Sequence, residues 1–138
     1  MGTFRSKGWL LICAMLVGSA AAGTPAADEY ARGAQVYERC AACHALEADR
    51  TGPHHCGLIG RRAGSVPGFP YSPAMRHAGF VWNEKTLDRF LRSPLTTIPG
   101  TSMGYDGVKD NGERRALILF LREAGHSERC RGMSARAP

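Results

Sequence analysis

Apolar residues recur at helical spacing in the segment 28–39. Tyr30, Gly33, Ala34 and Tyr37 follow one another at intervals of three and four residues. This spacing places all four on one face of an α-helix. The segment is therefore predicted to form an amphipathic helix, preceded by a short, frayed linker of small residues.

Two shorter helices are predicted in the middle of the chain. Ser72-Pro73 is a typical N-terminus, and the helix over Ala74–Ala78 should end at Gly79. Asn83 is a second N-cap, and its helix should stop at Ser93-Pro94. The apolar face of this second helix consists of Leu87, Phe90 and Leu91.

A last helix is predicted from Asp110, with Glu113 three residues later in the pattern of a capping box. Gly125 should close it. Its apolar face consists of Leu117, Phe120, Leu121 and Ala124. We expect an all-α fold, since no segment shows the alternation of a β-strand.

Two stretches, 51–71 and 95–107, are rich in glycine and proline and have no period. A loop of about twenty irregular residues is unusual in a compact domain unless something other than a peptide core supports it. These loops therefore point to a bound cofactor.

The N-terminus has the features of a secretory signal peptide. Arg5 and Lys7 precede an apolar run over 9–17, and the small residues 19–22 provide a cleavage site. The apolar core of about nine residues is shorter than the roughly twenty that a membrane span needs, which favours cleavage over an uncleaved anchor. We predict a signal peptide over residues 1–22 and one domain over 23–138, with its core at about 28–125 and an extension over 126–138, in an oxidising compartment.

Composition narrows the class of protein. The chain has 138 residues, 43% of them hydrophobic and 22% charged, and a formal net charge of +6. These values suit one globular domain. No second apolar run is long enough for a multi-span membrane protein. The basic residues are scattered and form no stripe with aromatic residues, so nucleic-acid binding is not expected.

The segment Cys40-Ala41-Ala42-Cys43-His44 carries the clearest chemistry. Two cysteines three positions apart can both bond the edge of a flat macrocycle, and the following histidine is then held under its metal. This is the attachment motif of a c-type haem. A thioredoxin-like pair would need a preceding strand, and a zinc site would need a second pair of ligands, for which only 54–56 is a candidate.

The second axial ligand of such a haem iron is not fixed by spacing alone. The candidates are His54, His55, His77, His126, Met75, Met103 and Met133. Met75 falls inside a predicted helix, where methionine more often fills a core. Met103 lies in a loop stiffened by Pro99 and Gly100, which favours it as the ligand. A thioether ligand favours reduced iron and raises the reduction potential.

These motifs resemble the class I c-type cytochromes, in the branch of mitochondrial cytochrome c and bacterial cytochrome c2. The resemblance extends over about 33–122. It includes the attachment segment and the crossing of the first and last helices. There Gly33 and Tyr37 of the first helix meet Leu117 and Phe120 of the last, and the glycine admits an aromatic ring. It implies a cytochrome c fold with one covalent haem c, bonded to Cys40 and Cys43.

The resemblance also assigns the haem pocket. It implies His44 and Met103 as axial ligands, with the Pro53 carbonyl accepting a hydrogen bond from the histidine. The other pocket positions that it implies are Arg61, Tyr71, Trp82, Phe90, Thr101 and Tyr105. Of these, Arg61, Tyr71 and Trp82 would be donors at the propionates.

Some positions depart from the family. His55 stands where leucine usually lies against the haem, so the pocket there is expected to be wetter or rearranged. Phe90 replaces a tyrosine near the methionine sulfur. This chain also has fewer lysines at the exposed haem edge than the family usually has. Arg39 and Lys109 remain as candidate docking residues, and the change indicates either drift or an altered partner.

Two classes of function follow. The first is a periplasmic electron carrier. The resemblance implies that it receives electrons from a cytochrome bc complex and passes them to a terminal oxidase or a photosynthetic reaction centre. We expect a monomer that docks only transiently on membrane proteins, and no enzyme activity, since the sequence shows no catalytic acid–base set. The alternative is a haem enzyme or gas sensor with a labile sixth ligand, for which His55 is the only hint.

Cleavage of the signal peptide would remove Cys13, and the haem would bond Cys40 and Cys43. This leaves Cys56 and Cys130. In an oxidising compartment such a pair is more often bridged than free. The resemblance supports a bridge. In the family, the last helix ends close to the segment that follows the proline at position 53, and this is where Cys56 lies. The alternatives are a buried Cys56 and a tail thiol at Cys130 that could dimerise the chain.

Overall fold

The computed structural model describes residues 1–2 and 23–134, so most of the predicted signal peptide and the last four residues lie outside the described part. The described part is helical, with one isolated bridge between Arg62 and Val81. Its helices are α1 (Pro25–Tyr37), α2 (Pro73–Arg76), α3 (Glu84–Arg92), α4 (Pro94–Thr97), α5 (Asn111–Gly125) and α6 (Glu128–Ser134). None of the described helices is long and apolar enough to cross a bilayer.

Helices α1 and α5 cross at Gly33. A Cβ atom built on Gly33 would lie 2.0 Å from the backbone oxygen of Ala116, so only glycine allows this approach. The Tyr37 ring packs on Phe120 with ring centroids 5.0 Å apart. The predicted pairing of the first and last helices is confirmed.

Helix α1 begins and ends earlier than its periodicity predicts. The Oγ1 atom of Thr24 accepts a hydrogen bond from the Ala27 amide, and Pro25 occupies the first helical position. The segment predicted as a frayed linker therefore contributes the first turn of the helix. At the other end the helix stops at Tyr37, and a turn leads into the attachment segment.

The N-caps of α2 and α3 are as predicted, but α2 ends at Arg76, with His77 as its C-cap, and not at Gly79. The Ser72 hydroxyl accepts from the Met75 amide at 3.2 Å. Asn83 and Thr86 bond each other's backbone amides reciprocally, at 2.9 Å each. Helix α4 was not predicted, because Ser93-Pro94 is typical of a helix end and was assigned to the end of α3. Proline is also favoured at the first position of a helix, and here it begins the next one.

Asp110 caps α5 by accepting from the Glu113 amide at 2.7 Å. The predicted capping box is wrong in its second half, because the Glu113 carboxylate binds the guanidinium of Arg39 instead. Gly125 is the last residue of α5, and its φ is not positive. His126 follows as the C-cap and donates its amide to the last turn of the helix.

Helix α6 occupies the predicted C-terminal extension. The structure bonds the Sγ atoms of Cys56 and Cys130, whose Cα atoms are 5.1 Å apart. Arg129 also forms an ion pair with Glu47. Both contacts attach α6 to the irregular segment that follows the attachment motif.

Arg114 is the largest fully buried side chain among the described residues, at 1% exposure. Its guanidinium donates to Asp88 at 2.7 Å and to the carbonyls of Val108 and Lys109 at 2.9 and 3.0 Å. It therefore joins α3 and α5 to the residues that directly follow the methionine loop, the irregular stretch 95–107 that contains Met103.

Candidate functional site

A cleft opens between the helices and the two irregular stretches. Its empty volume is about 1220 Å³, with the open mouth included. The predicted haem-site residues that line it are Cys40, Cys43, His44, Pro53, Arg61, Tyr71, Trp82, Phe90, Thr101, Met103 and Tyr105. The fold therefore gathers in one place side chains that are spread over more than sixty positions of the sequence.

Cys40 and Cys43 lie in the turn that follows α1. The Cys40 amide donates to the Tyr37 carbonyl, and the amides of Cys43 and His44 both donate to the Cys40 carbonyl, at 3.0 and 2.9 Å. Both sulfurs are free of disulfides. Burial is the main cause that raises the pKa of Cys40 to about 11. A protonated thiol is a poor redox nucleophile, which argues against the thiol alternative.

A zinc centre is further disfavoured by geometry. No group of three or more His, Cys, Asp and Glu side chains within the described residues is arranged to hold a metal ion. The candidate pair at 54–56 is used otherwise, since His54 bonds Asp49 at 2.7 Å and Cys56 is in the disulfide.

The ring of His44 is buried and held in one tautomer. Its Nδ1–H donates to the Pro53 carbonyl at 2.8 Å, because a carbonyl can only accept. Burial lowers the pKa of His44, while the bond to Pro53 raises it, and the net shift is downward. The ring is therefore neutral, and its Nε2 lone pair has no partner among the described residues. This is the state in which histidine binds a metal.

Gly52 packs directly on this ring. A Cβ atom at this position would lie 2.2 Å from Cε1 of His44 and 2.6 Å from both ring nitrogens. The Gly52 amide also donates to the Cys43 carbonyl at 2.7 Å. The turn before Pro53 thus needs a residue without a side chain in order to seat the histidine.

His55 stacks on the His44 ring, with centroids 4.3 Å apart and planes inclined by 21°. Its Nδ1 lies at hydrogen-bond distance, 3.1 Å, from the Tyr37 hydroxyl. Burial lowers the pKa of His55 well below its usual value and raises that of Tyr37 to about 12, so both groups are neutral. Tyr37 was predicted only to pack against the last helix, so its contact with His55 was missed.

Arg61 holds the backbone on both sides of His55. Its guanidinium donates to the carbonyls of His54 and Cys56, at 2.7 and 3.0 Å. Burial lowers its pKa. The Trp82 amide donates to the Arg61 carbonyl at 2.9 Å, and the Trp82 ring packs on Phe90. These contacts form one wall of the cleft.

Two methionines line the cleft. Met103 follows Gly100, which has a φ of +89°, and its amide donates to the Thr101 hydroxyl at 3.3 Å. Met75 is in the core, at 8% exposure. Of the histidine candidates, His54, His77 and His126 do not line the cleft. The side chain of Met133 is outside the described ones.

The two candidate docking residues have local partners. Arg39 lies at the cleft and makes two hydrogen bonds to Glu113, at 2.7 and 2.6 Å, which raise its pKa. Lys109 donates to the Arg92 carbonyl at 3.1 Å and lies 3.5 Å from Asp106. Much of the positive charge at this edge is therefore compensated within the chain.

Comparisons with known proteins agree with this site. No protein-family model matches the chain. A cytochrome c2 of Rhodomicrobium vannielii is 40% identical over 114 residues, which is 80% of this chain and 90% of the relative. A cytochrome c2 of Blastochloris viridis is 34% identical and covers 82% of this chain and 91% of the relative. A cytochrome c of Stellaria longipes is 42% identical over 67% of this chain and 90% of its own length.

A solved structure shares the fold. Cytochrome cH from Methylobacterium extorquens superposes with a TM-score of 0.66 at 30% identity, over 68% of this chain and 97% of its own. The cleft fits a haem, since it presents two unpaired thiols and a neutral histidine with a free ring nitrogen. Sequence, fold and fit together show that the chain belongs to the class I c-type cytochromes, which are electron carriers rather than enzymes, and that it carries one covalently bound haem c.

Proposed function

We propose that the chain transfers single electrons through a haem bonded to Cys40 and Cys43 and ligated by His44 and Met103. The observation that carries this proposal is the seating of His44, whose Nδ1–H is held by Pro53 while Nε2 is left free. The haem supplies a reversible one-electron couple. The chain supplies both axial ligands, so no coordination position is left open for a substrate.

The pocket residues exclude water and hold the ligands. Trp82 and Phe90 are buried, at 6% and 5% exposure, and form part of the apolar lining. Thr101 accepts from the Met103 amide and so shapes the methionine loop. We propose that Arg61, Tyr71 and Trp82 hold the propionates and that Tyr105 lies at the exposed edge, as the resemblance implies. A rigid, dry surrounding limits reorganisation when the charge of the iron changes.

The alternative of a haem enzyme or gas sensor rests on His55 alone. An acid–base residue for such chemistry has to lie on the side of the iron opposite to the axial histidine. His55 instead stacks on His44 at 4.3 Å. This placement favours the carrier.

The ligation is tested by comparing the two methionines of the cleft. The absorbance band at about 695 nm that marks iron–sulfur ligation in this family should be present in the oxidised protein. Met103→Leu should abolish it and admit carbon monoxide at neutral pH. Met75→Leu is the matched control and should retain the band. Loss of the band in Met75→Leu alone would move the ligand to Met75, and its absence from the unmodified protein would overturn the carrier.

For the cellular role we propose a periplasmic carrier, exported by the segment 1–22 and acting as a monomer. It would accept electrons from a cytochrome bc complex and deliver them to a terminal oxidase or a photosynthetic reaction centre. The similarity to cytochromes c2 supports this role. The docking would be transient, as electron transfer requires, with Arg39 and Lys109 at the contact.

The compensated charge at the edge makes a test of docking possible. Partner reduction should depend only weakly on ionic strength, because Glu113 occupies Arg39. Glu113→Gln releases that guanidinium and should steepen the salt dependence towards an acidic partner. Glu123→Gln, which removes an exposed acid paired with Arg122 at 2.9 Å, serves as the control. Equal slopes for the two variants would exclude Arg39 from the docking surface.

A further inference from the structure

Tyr37, His55 and His44 form a connected set of three rings beside the cleft. The Tyr37 hydroxyl meets Nδ1 of His55 at 3.1 Å, and the His55 ring lies at 4.3 Å on the His44 ring, inclined by 21°. The Tyr37 ring itself is fixed by packing on Phe120. The set therefore links the α1–α5 crossing to the axial histidine.

The hydrogen bond to Pro53 leaves one freedom of the His44 ring undetermined. A single bond at Nδ1 fixes the direction of that N–H, but the ring plane can still rotate about it. A second ring stacked on its face opposes this rotation, because turning the plane would drive its edges into the neighbour. His55 lies where it can supply that restraint.

The position of His55 is itself over-determined. Its backbone amide donates to the carbonyls of Ala45 and Leu46, at 3.1 Å each, which directly follow His44. On its other side Cys56 is bonded to Cys130 of α6. With the backbone fixed in this way, the side chain keeps only its two torsions, χ1 and χ2, and the bond to Tyr37 together with the stacking on His44 restrains them.

We infer that Tyr37 and His55 are a positioning pair that fixes the ring plane of His44. The inference rests on the proposed ligation by His44. In an oxidised c-type haem, the plane of the axial imidazole sets the distribution of unpaired spin over the macrocycle. Partners beside a metal-bound histidine tune both its orientation and the metal. The pair thus acts on the electronic state of the haem through His44, without touching the iron.

The test is a double-mutant cycle on the full-length, haem-loaded protein. Tyr37→Phe removes the hydroxyl and keeps the ring on Phe120. His55→Leu removes the stacked ring. The measurements are the hyperfine-shifted haem-methyl resonances of the oxidised protein and the one-electron reduction equilibrium.

Tyr37→Phe should redistribute the methyl shifts and change the reduction equilibrium constant by about twofold or more, the smallest coupling usual for residues in contact. In the His55→Leu background the same change should add nothing. Tyr30→Phe is the matched control, since Tyr30 lies on the same helix and packs on the same Phe120, at 5.3 Å. Its hydroxyl has no hydrogen-bond partner among the described residues, and both readouts should stay unchanged.

Three results would overturn the inference: a Tyr37→Phe protein with the same methyl shifts as Tyr30→Phe, an equal effect with and without His55, or a loss of stability alone. The ligation proposal is checked separately by the band at about 695 nm in the unmodified protein. If that band is present and the methyl shifts do not move, only the positioning pair fails.

Discussion

Helices α1 and α5 are held together by close packing of their surfaces, whereas the irregular segment 44–71 is held by individual hydrogen bonds and a disulfide. At the crossing, Gly33 lies flush against the backbone of Ala116, and Leu117 has no exposed surface. The segment 44–71 contains no helix. It is fixed at separate points, such as the bond from His44 to Pro53 and the disulfide at Cys56.

This difference separates stability from chemistry. Packing over a helix face is shared by many residues, so damage there should lower the free energy of unfolding while both ligands stay on the haem iron. Within the segment 44–71, the contacts of His44 act directly on the site, whereas the disulfide acts on stability. Damage to the contacts of His44 should alter the spectrum more than the stability.

The largest effect is expected from Gly52→Ala, which brings a methyl group to 2.2 Å from Cε1 of His44. The ring has to move away, and its bond to the iron should be lost or weakened. The oxidised protein should lose the low-spin spectrum of a six-coordinate haem. Gly104→Ala is the control, since no atom lies within 4 Å of a Cβ atom placed there. A normal spectrum for Gly52→Ala would show that the segment yields more easily than we argue.

The disulfide comes next, because it is the one covalent link between the segment and α6. The bridge spans a sequence separation of 74 residues. On the chain-entropy relation, closing such a loop stabilises the fold by about 4 kcal/mol. Replacing both cysteines by serine should lower the free energy of unfolding by that order in denaturant titrations. Thiol titration of the unfolded, unreduced holoprotein should find no free thiols, and two per chain would contradict the bridge.

Gly33→Ala tests the other side of the comparison. Its methyl group would meet backbone atoms of Ala116, which cannot move independently of α5. We expect a loss of about 3 kcal/mol in the free energy of unfolding, with the low-spin spectrum of a six-coordinate haem retained. Gly112→Ala, at the start of α5, is the control, because its new Cβ meets only the ends of exposed side chains, those of Arg32 and Asp110, each at 3.2 Å, and should cost less. Loss of the low-spin spectrum in Gly33→Ala would show that ligation of the iron also depends on the crossing.

Asp88→Asn should have the smallest effect, and one that depends on pH. Burial raises the pKa of Asp88, but its bond to Arg114 and the charges of Arg114 and Arg92 lower it further, so the net shift is downward. A carboxyl with a lowered pKa stabilises the fold above its ordinary pKa and loses that contribution as the pH falls through the lowered value. The variant should lose about 2 kcal/mol at neutral pH, since it takes a charged partner from a buried guanidinium.

The difference from the unmodified protein should vanish in acid. Equilibrium denaturation at neutral and acidic pH measures it. Glu84→Gln, which breaks an exposed pair with Arg122, is the control and should change stability by less at any pH. A difference for Asp88→Asn that persists in acid would assign the loss to packing rather than charge.

How much of the structure could be predicted from the sequence follows from the same difference between packed helices and individually bonded segments. The apolar faces of α3 and α5 were predicted correctly, because the buried positions of a helix recur with the helical period and the apolar residues of the sequence show the same spacing. The attachment segment was recognised from its spacing. Helix α4 was missed because a proline both ends and begins a helix, and the second bond of the Glu113 cap was wrong because Arg39, distant in sequence, competes for the carboxylate. The contact of Tyr37 with His55 depends on tertiary placement and leaves no local signal.

The pairing of Cys56 with Cys130 also constrains how the protein is made. The chain exposes Cys40, Cys43 and Cys56 well before Cys130, which follows Cys56 by 74 residues. On the proposed attachment of the haem to Cys40 and Cys43, these two sulfurs have to stay reduced until they form thioethers, while that of Cys56 has to wait for a partner that is synthesised late. A thioether no longer exchanges with thiols, so attachment of the haem removes the competing sulfurs for good. Maturation in that order leaves Cys56 with a single possible partner within the domain.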